Sequence, residues 1–264
     1  MKENIAAVLE KVRAEKPLVH HITNWVTIYD CANIVKVFGA SPVMAHAKEE
    51  VSEMANIASA LALNIGTLTV DVVEAMKQAA KRANQIGIPV VLDICGAGAT
   101  KFRDKSCFDI LNDVKVDIIK GNASEIASIA GENVQTKGVD AVAVEKNLRE
   151  LAMGLAKKRN CTVVITGAED IVANQTKIVI VKNGHPMMAN FVGSGCMATS
   201  TIATFAAVEK DPLAASVAGL VCYEIAAEMA AKASNGPGSF KEQLFDAVHN
   251  LDSETVNRMK RIEE

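Results

Sequence analysis

The sequence predicts an α/β protein built on a central, mostly parallel sheet, and three observations carry that prediction. Short apolar runs of strand length alternate with longer segments of helical period, the grammar of a parallel sheet covered by helices. Most of the short runs are apolar nearly throughout, as strands buried on both faces must be. Half of the residues are hydrophobic but only 4% are aromatic, which favours a core of Ala, Val, Ile and Met.

The elements follow in order. Residues 1–16, MKENIAAVLEKVRAEK, form an amphipathic charged helix without a secretory apolar core. Strands are expected at Leu18–Ile22, Pro42–Ala45 and Leu61–Ile65. Between Val70 and Ile86 the period changes: apolar residues at 72, 73, 76, 79, 80, 83 and 86 share one helix face, and Thr69 is placed to cap its start. Further strands are expected at Val90–Asp93, Asp117–Lys120 and Thr162–Thr166. Asp170–Asn174 and Lys177–Lys182, joined through Asn174-Gln175-Thr176, read as an antiparallel hairpin at one edge of the sheet. Asn183-Gly184 then turns the chain toward a Gly-rich loop and a long apolar helix. Pro212 opens another helix, the Asn235–Gly238 turn ends it, and two charged amphipathic helices follow. No repeat, low-complexity tract or linker interrupts the pattern, so 1–264 is expected to be a single domain.

Composition narrows the function. A chain of 264 residues buries most of the surface that its unfolded form exposes. A net charge of −3 without a basic stripe argues against nucleic acid. The cysteines at 31, 95, 107, 161, 196 and 222 contain no CxxC pair, which reads as free thiols in a reducing compartment. The apolar run Cys196–Val208 is too short to span a bilayer, and the next one carries Glu224 and Glu228. A soluble, cytoplasmic protein is expected.

The richest segment is Val192-Gly193-Ser194-Gly195-Cys196-Met197, immediately before the apolar helix. Glycines let a ligand approach the backbone, and the unpaired N–H groups of a first helical turn bind anions. An ordinary Gly-rich helix start explains the same residues. Cys196 sits where the helix dipole lowers a thiol pKa, whereas the other cysteines read as structural. Asp93 ends a strand, where ligands gather in open α/β sheets, and Glu125 opens a helix just past the next strand. Two carboxylates so placed suit Mg²⁺ held through water and phosphate oxygens, although Glu125 also fits as a first-turn residue facing the helix dipole. Thr166-Gly167-Ala168-Glu169-Asp170 is either a phosphate-wrapping loop or a tight β-turn. His20-His21 lacks a third metal ligand and reads as strand-end histidines, and a residue such as Met44 is more often core than ligand contact.

Taken together, these segments resemble the hydroxyethylthiazole kinases. The resemblance runs through His21-Ile22-Thr23-Asn24-Trp25-Val26, Ala32-Asn33, Gly39 to Met44, Asn64 to Leu68, Leu92-Asp93 with Gly96 to Thr100, Gly121 to Glu125, Thr166-Gly167 with Asp170, and Gly193 to Met197. It covers residues 18–200 in the family's order. It implies a three-layer α/β/α ribokinase-like fold, ATP and Mg²⁺, and phosphorylation of 4-methyl-5-(2-hydroxyethyl)thiazole in thiamin biosynthesis or salvage. It also implies a homotrimer with sites between subunits. By position, Asn24, Met44 and Gly193 would contact the thiazole, and Lys120 and Thr166 would bind ATP. Asp93 and Glu125 would hold Mg²⁺, Gly193, Ser194 and Gly195 would form the anion hole, and Cys196 would stand where sugar kinases carry a catalytic Asp. The family usually has Arg at Lys120, Pro-Val at Ile94-Cys95 and Asn at Tyr29. Three rival readings are a dehydratase of hydrated nicotinamide nucleotides, a thiol acyltransferase using His185 as base, and a non-catalytic binding module. The first expects Asp at the position of Cys196.

Overall fold

A computed structural model of the chain describes residues 5–131 and 141–264. The strands are β1 (Leu18–Ile22), β2 (Ser41–Met44), β3 (Ala60–Asn64), β4 (Val90–Asp93), β5 (Ile118–Asn122), β6 (Thr162–Thr166), β7 (Asp170–Ala173), β8 (Ile178–Val181) and β9 (Ile262–Glu263). Among the described residues they form one sheet in the order β2-β1-β3-β4-β5-β6-β7-β8-β9. Strands β1 to β6 pair in parallel, and the hairpin and β9 are antiparallel. The hairpin is therefore not the sheet edge, because β9 covers it. Two residues carry no period, so β9 has no signature in the sequence.

The sheet separates two apolar cores. Val19, Ala60, Ala62, Val91, Ile118 and Val164 face one core, while Leu61, Leu63, Leu92, Ile119, Val163 and Ile165 face the other. Successive strand side chains point to opposite faces, so a strand covered on both sides is apolar nearly throughout. The first core is closed by α1 (Ile5–Glu15), α2 (Ile28–Val37), α8 (Ser194–Ala206), α9 (Pro212–Ala233), α10 (Pro237–Asn250) and α11 (Ser253–Met259). The second lies under α3 (Val51–Ile57), α4 (Val70–Ile86), α5 (Lys101–Asp113), α6 (Ala123–Ala130) and α7 (Ala141–Arg159). The result is a three-layer α/β/α arrangement, as expected. Helix α9 is long and apolar enough to cross a membrane, but 83% of its apolar window is buried in the fold, which makes it a core helix.

Two local features position the site. Thr69 caps α4 by accepting from Val72 N at 3.2 Å, as its place in the sequence predicts. Strand β5 runs to Asn122 rather than stopping at Lys120, because Gly121 and Asn122 still pair with β6. Asn122 then caps α6 in a capping box with Glu125. The strand register sets Asn64 beside Asp93, and Asp93 beside Lys120, at the carboxyl edge of the sheet.

Candidate active site

At that edge, four polar side chains, Asn24, Asn64, Asp93 and Lys120, meet the start of α8. Asn24, just beyond β1, has its amide oxygen saturated by Val26 N, Thr27 N and Thr27 Oγ1, each at 3.1 Å. Its Nδ2 is thereby aimed inward, donating to Asn64 Oδ1 at 3.1 Å and to Cys196 Sγ at 3.3 Å. Asn64 Nδ2 donates to the same sulfur at 3.3 Å and to Asp93 Oδ2 at 3.0 Å. Asp93 Oδ2 also accepts from Thr199 Oγ1 at 2.6 Å and from Lys120 Nζ at 3.3 Å. Asp93 and the Lys120 side chain are almost fully buried.

The charges in this cluster support one another. Burial alone would depress the Lys120 pKa, but the facing charges of Asp93, Cys196 and Glu125 outweigh it and hold the ammonium above its ordinary range. Cys196 is lowered to about 6, first by a hydrogen bond from the Cys95 thiol, with Thr27 and Lys120 helping against burial and Asp93. The same bond, with burial, drives Cys95 upward, so Cys95 keeps its proton and donates. The direction at Cys196 matches the sequence expectation. Its leading cause does not, because nothing in the sequence places Cys95 against it.

The backbone completes an anion site. Gly193 has φ of +105°, and a Cβ there would lie 2.9 Å from Thr27 Cγ2, so both conformation and space require glycine. Helix α8 has no side-chain cap, and its first intrahelical bond runs from Met197 N to Gly193 O at 2.9 Å. The N–H groups of Ser194, Gly195 and Cys196 precede that bond. A Cβ on Gly195 would sit 3.0 Å from Lys120 Nζ, so the ammonium lies directly against this turn.

A cavity of about 410 Å³ gathers Asn24, Asp93, Cys95, Lys120, Glu125, Thr166, Gly193, Gly195 and Cys196. A second, of about 520 Å³, shares Thr166 and Gly195 with it and is lined by Ser194, Gly167, Met188, Ala198 and Tyr223. A larger cavity of about 820 Å³ lies at the opposite, amino ends of the strands beside Ser59, Pro89 and Asp117, away from this chemistry. Met44 stands apart on edge strand β2 and lines none of the three. Asn64, Cys95 and Thr199 are site residues that sequence reading missed. Asn64 is the one polar residue of β3, and that was its available signal; Thr199 sits among Ser200, Thr201 and Thr204 in α8 and gave none.

The donor set suits a hard cation. Asp93 Oδ1 is buried without a hydrogen-bond partner, in the same cavity as Glu125. Each Glu125 oxygen accepts one backbone N–H, from Gly96 and from Asn122, both at 2.7 Å, and retains a second lone pair. Glu125 thus caps α6 and at the same time lines the cavity. Among the described residues no three His, Cys, Asp or Glu side chains cluster as a metal cage. Two carboxylates that leave positions for water and phosphate oxygens match Mg²⁺. His20 Nε2 bonds Ala45 O at 2.9 Å and His21 Nδ1 bonds Val19 O at 3.0 Å, as strand histidines.

Comparison with known proteins decides the family. The model of the hydroxyethylthiazole kinase family matches residues 9–254. The chain belongs to that family. The hydroxyethylthiazole kinase of Methanosarcina acetivorans is 52% identical over 256 residues, 97% of this chain and 98% of that one. The structure of hydroxyethylthiazole kinase from Pyrococcus horikoshii OT3 superposes with a TM-score of 0.92 at 38% identity, covering 99% and 98% of the two chains. A ribokinase-like superfamily protein from Enterococcus faecalis V583 superposes with a TM-score of 0.65 at 12% identity, over 94% and 95%, and shares the fold alone. The thiol-acyltransferase reading also lacks its base: His185 lines the second cavity, caps the turn before Met187, and does not line the cavity that holds Cys196.

One consequence of this geometry is open to direct measurement. The thiolate is the alkylating species, so a pKa lowered to about 6 makes Cys196 react with iodoacetamide across the whole neutral range. Its labelling rate is expected to reach half its plateau near pH 6, and Cys95→Val shifts that midpoint upward toward an ordinary thiol. Mass-spectrometric rates against pH check both; an unchanged midpoint in the variant removes Cys95 as the cause.

Proposed function

We propose that the protein transfers the γ-phosphoryl group of ATP to the primary hydroxyl of 4-methyl-5-(2-hydroxyethyl)thiazole, in thiamin biosynthesis or salvage. What carries the proposal is the meeting of the Ser194–Cys196 N–H groups with Lys120 and Cys196 at the junction of two cavities. The smaller cavity takes the thiazole alcohol beside Asn24, Thr27 and Gly193. The other takes the nucleotide against Met188, Ala198 and Tyr223, with Thr166 near its phosphates.

Each side chain has a task in this reading. Asn24 and Asn64 clamp Cys196 Sγ, and that sulfur accepts the hydroxyl proton as the oxygen–phosphorus bond forms. Backbone N–H groups of the α8 turn and the Lys120 ammonium stabilise charge on the transferred group, usually the larger contribution. Asp93 and Glu125 would hold Mg²⁺, which when bound neutralises phosphate charge and aligns the phosphoryl group. ATP chemistry and six free cysteines support a cytoplasmic location.

A homotrimer accounts for the residues around the site. Trp25, Val26, Tyr29 and Val192 are 54%, 66%, 75% and 71% exposed, and Val26 and Val192 line the smaller cavity. Exposed apolar side chains at a cavity mouth call for a partner surface. Met44 then reaches a thiazole in the neighbouring subunit's cavity rather than its own. Sedimentation showing a fully active monomer refutes the shared site.

A coupled assay of ADP release with and without the thiazole alcohol tests the reaction. Release that depends on the alcohol is expected; release indifferent to it rejects the proposal. For Lys120→Met, KM for ATP is expected to rise about 10- to 100-fold, the loss of a charge-assisted hydrogen bond worth about 1.5–3 kcal/mol. KM for the thiazole alcohol stays near its original value. Equal weakening of both would mark Lys120 as structural.

A further inference from the structure

The six thiols divide into two kinds. Cys107, Cys161 and Cys222 are sealed in the apolar cores and Cys31 is buried against Thr27, whereas Cys95 and Cys196 are half-buried and line the same cavity. They come from independent elements. Cys196 lies in the first turn of α8, directly after Gly195. Cys95 lies in the loop between β4 and α5, where its carbonyl accepts from Arg103 at 2.8 Å. Asn24 and Asn64 hold Cys196 Sγ at 3.3 Å each, and Cys95 lines the same cavity within interaction range of that sulfur.

We propose that Cys95 and Cys196 form a reversible dithiol–disulfide couple, closed by hydrogen peroxide, that switches the site off. The regulatory part of this inference rests on the phosphorylation proposed above. The Cys196 sulfur attacks one peroxide oxygen; an S–O bond forms, the O–O bond breaks, and the departing hydroxide takes up the thiol proton as water. The Cys95 sulfur then displaces the sulfenic oxygen, which leaves as a second water with the remaining thiol proton. Two thiols and one hydrogen peroxide thus give one disulfide and two waters, and a small dithiol returns both protons and electrons. Closure removes the sulfur that accepts the hydroxyl proton, takes the thiolate acceptor from Asn24 and Asn64, and ties the β4–α5 loop to α8.

The test treats the whole protein with hydrogen peroxide, alkylates the remaining thiols and maps the peptides. A Cys95–Cys196 linked peptide is expected, with activity falling about 10²-fold or more, as loss of a proton acceptor predicts. Dithiothreitol restores both. In Cys95→Val no linked peptide forms, and prolonged treatment carries Cys196 to a sulfinic acid that dithiothreitol does not rescue. Inactivation without the linked peptide, or a linked peptide in a fully active protein, overturns the proposal. Protein that shows no alcohol-dependent ADP release before treatment refutes the proposed reaction instead, while the peptide map still decides whether the couple exists.

Discussion

Asp93→Ala is expected to lower thiazole phosphorylation by about 10³-fold, the scale on which single preorganised electrostatic groups act. Asp93 is the anchor on which Asn64, Lys120 and Thr199 converge, and its second oxygen is buried without a partner. The same change destabilises the fold. It leaves the buried Lys120 ammonium without its carboxylate, a loss of about 3–5 kcal/mol. Asp93→Asn keeps the shape and loses the charge, and Asp93→Asn with Lys120→Met removes both buried charges. Thermal melting should recover in the double variant while turnover does not. A double variant that regains turnover with its stability would make Asp93 structural, and wild-type kcat in Asp93→Asn at limiting Mg²⁺ would exclude a metal role.

Cys196 gives the second large effect. Cys196→Ala is expected to slow turnover about 10²-fold without abolishing it, because a general base contributes about 10²–10⁴ and the anion hole survives. Cys196→Asp retains activity. Its carboxylate meets the same donors, Asn24 Nδ2 and Asn64 Nδ2, near Lys120 and the α8 N-terminus. A covalent thiol enzyme makes the opposite forecast, with Asp inactive. Steady-state rates of both variants at saturating ATP and alcohol decide it; an inactive Cys196→Asp that folds and binds both ligands rejects the assignment.

Much of this molecule is legible in one dimension. The alternation of apolar runs with helical periods identifies β3, β4 and β6, because a strand buried on both faces is apolar nearly throughout. Thr69 and the 3.6-residue period identify α4. Asp93, Glu125 and the Gly193–Cys196 turn stand out because carboxylates at strand ends and glycines at helix starts follow local rules of backbone geometry. Strand β9 escapes notice, since pairing of Ile262 and Glu263 with β8 depends on where α11 delivers the chain.

The site's inner wiring was decided by the tertiary structure alone. Asn24, Asn64 and Cys196 are far apart in sequence, yet their side chains form a single hydrogen-bonded unit. Cys95 reads as one more structural thiol until the β4–α5 loop brings it to Cys196 and changes which of the two holds a proton. Met44 reads as a substrate contact, yet it lies at the sheet edge outside its own chain's cavity. Sequence by itself determined which elements form and which residue types end them, because propensity, period and capping act over a few residues. Which polar groups share a sulfur, a carboxylate or a proton depends on strand register and the docking of α8, and those follow only from packing the whole chain.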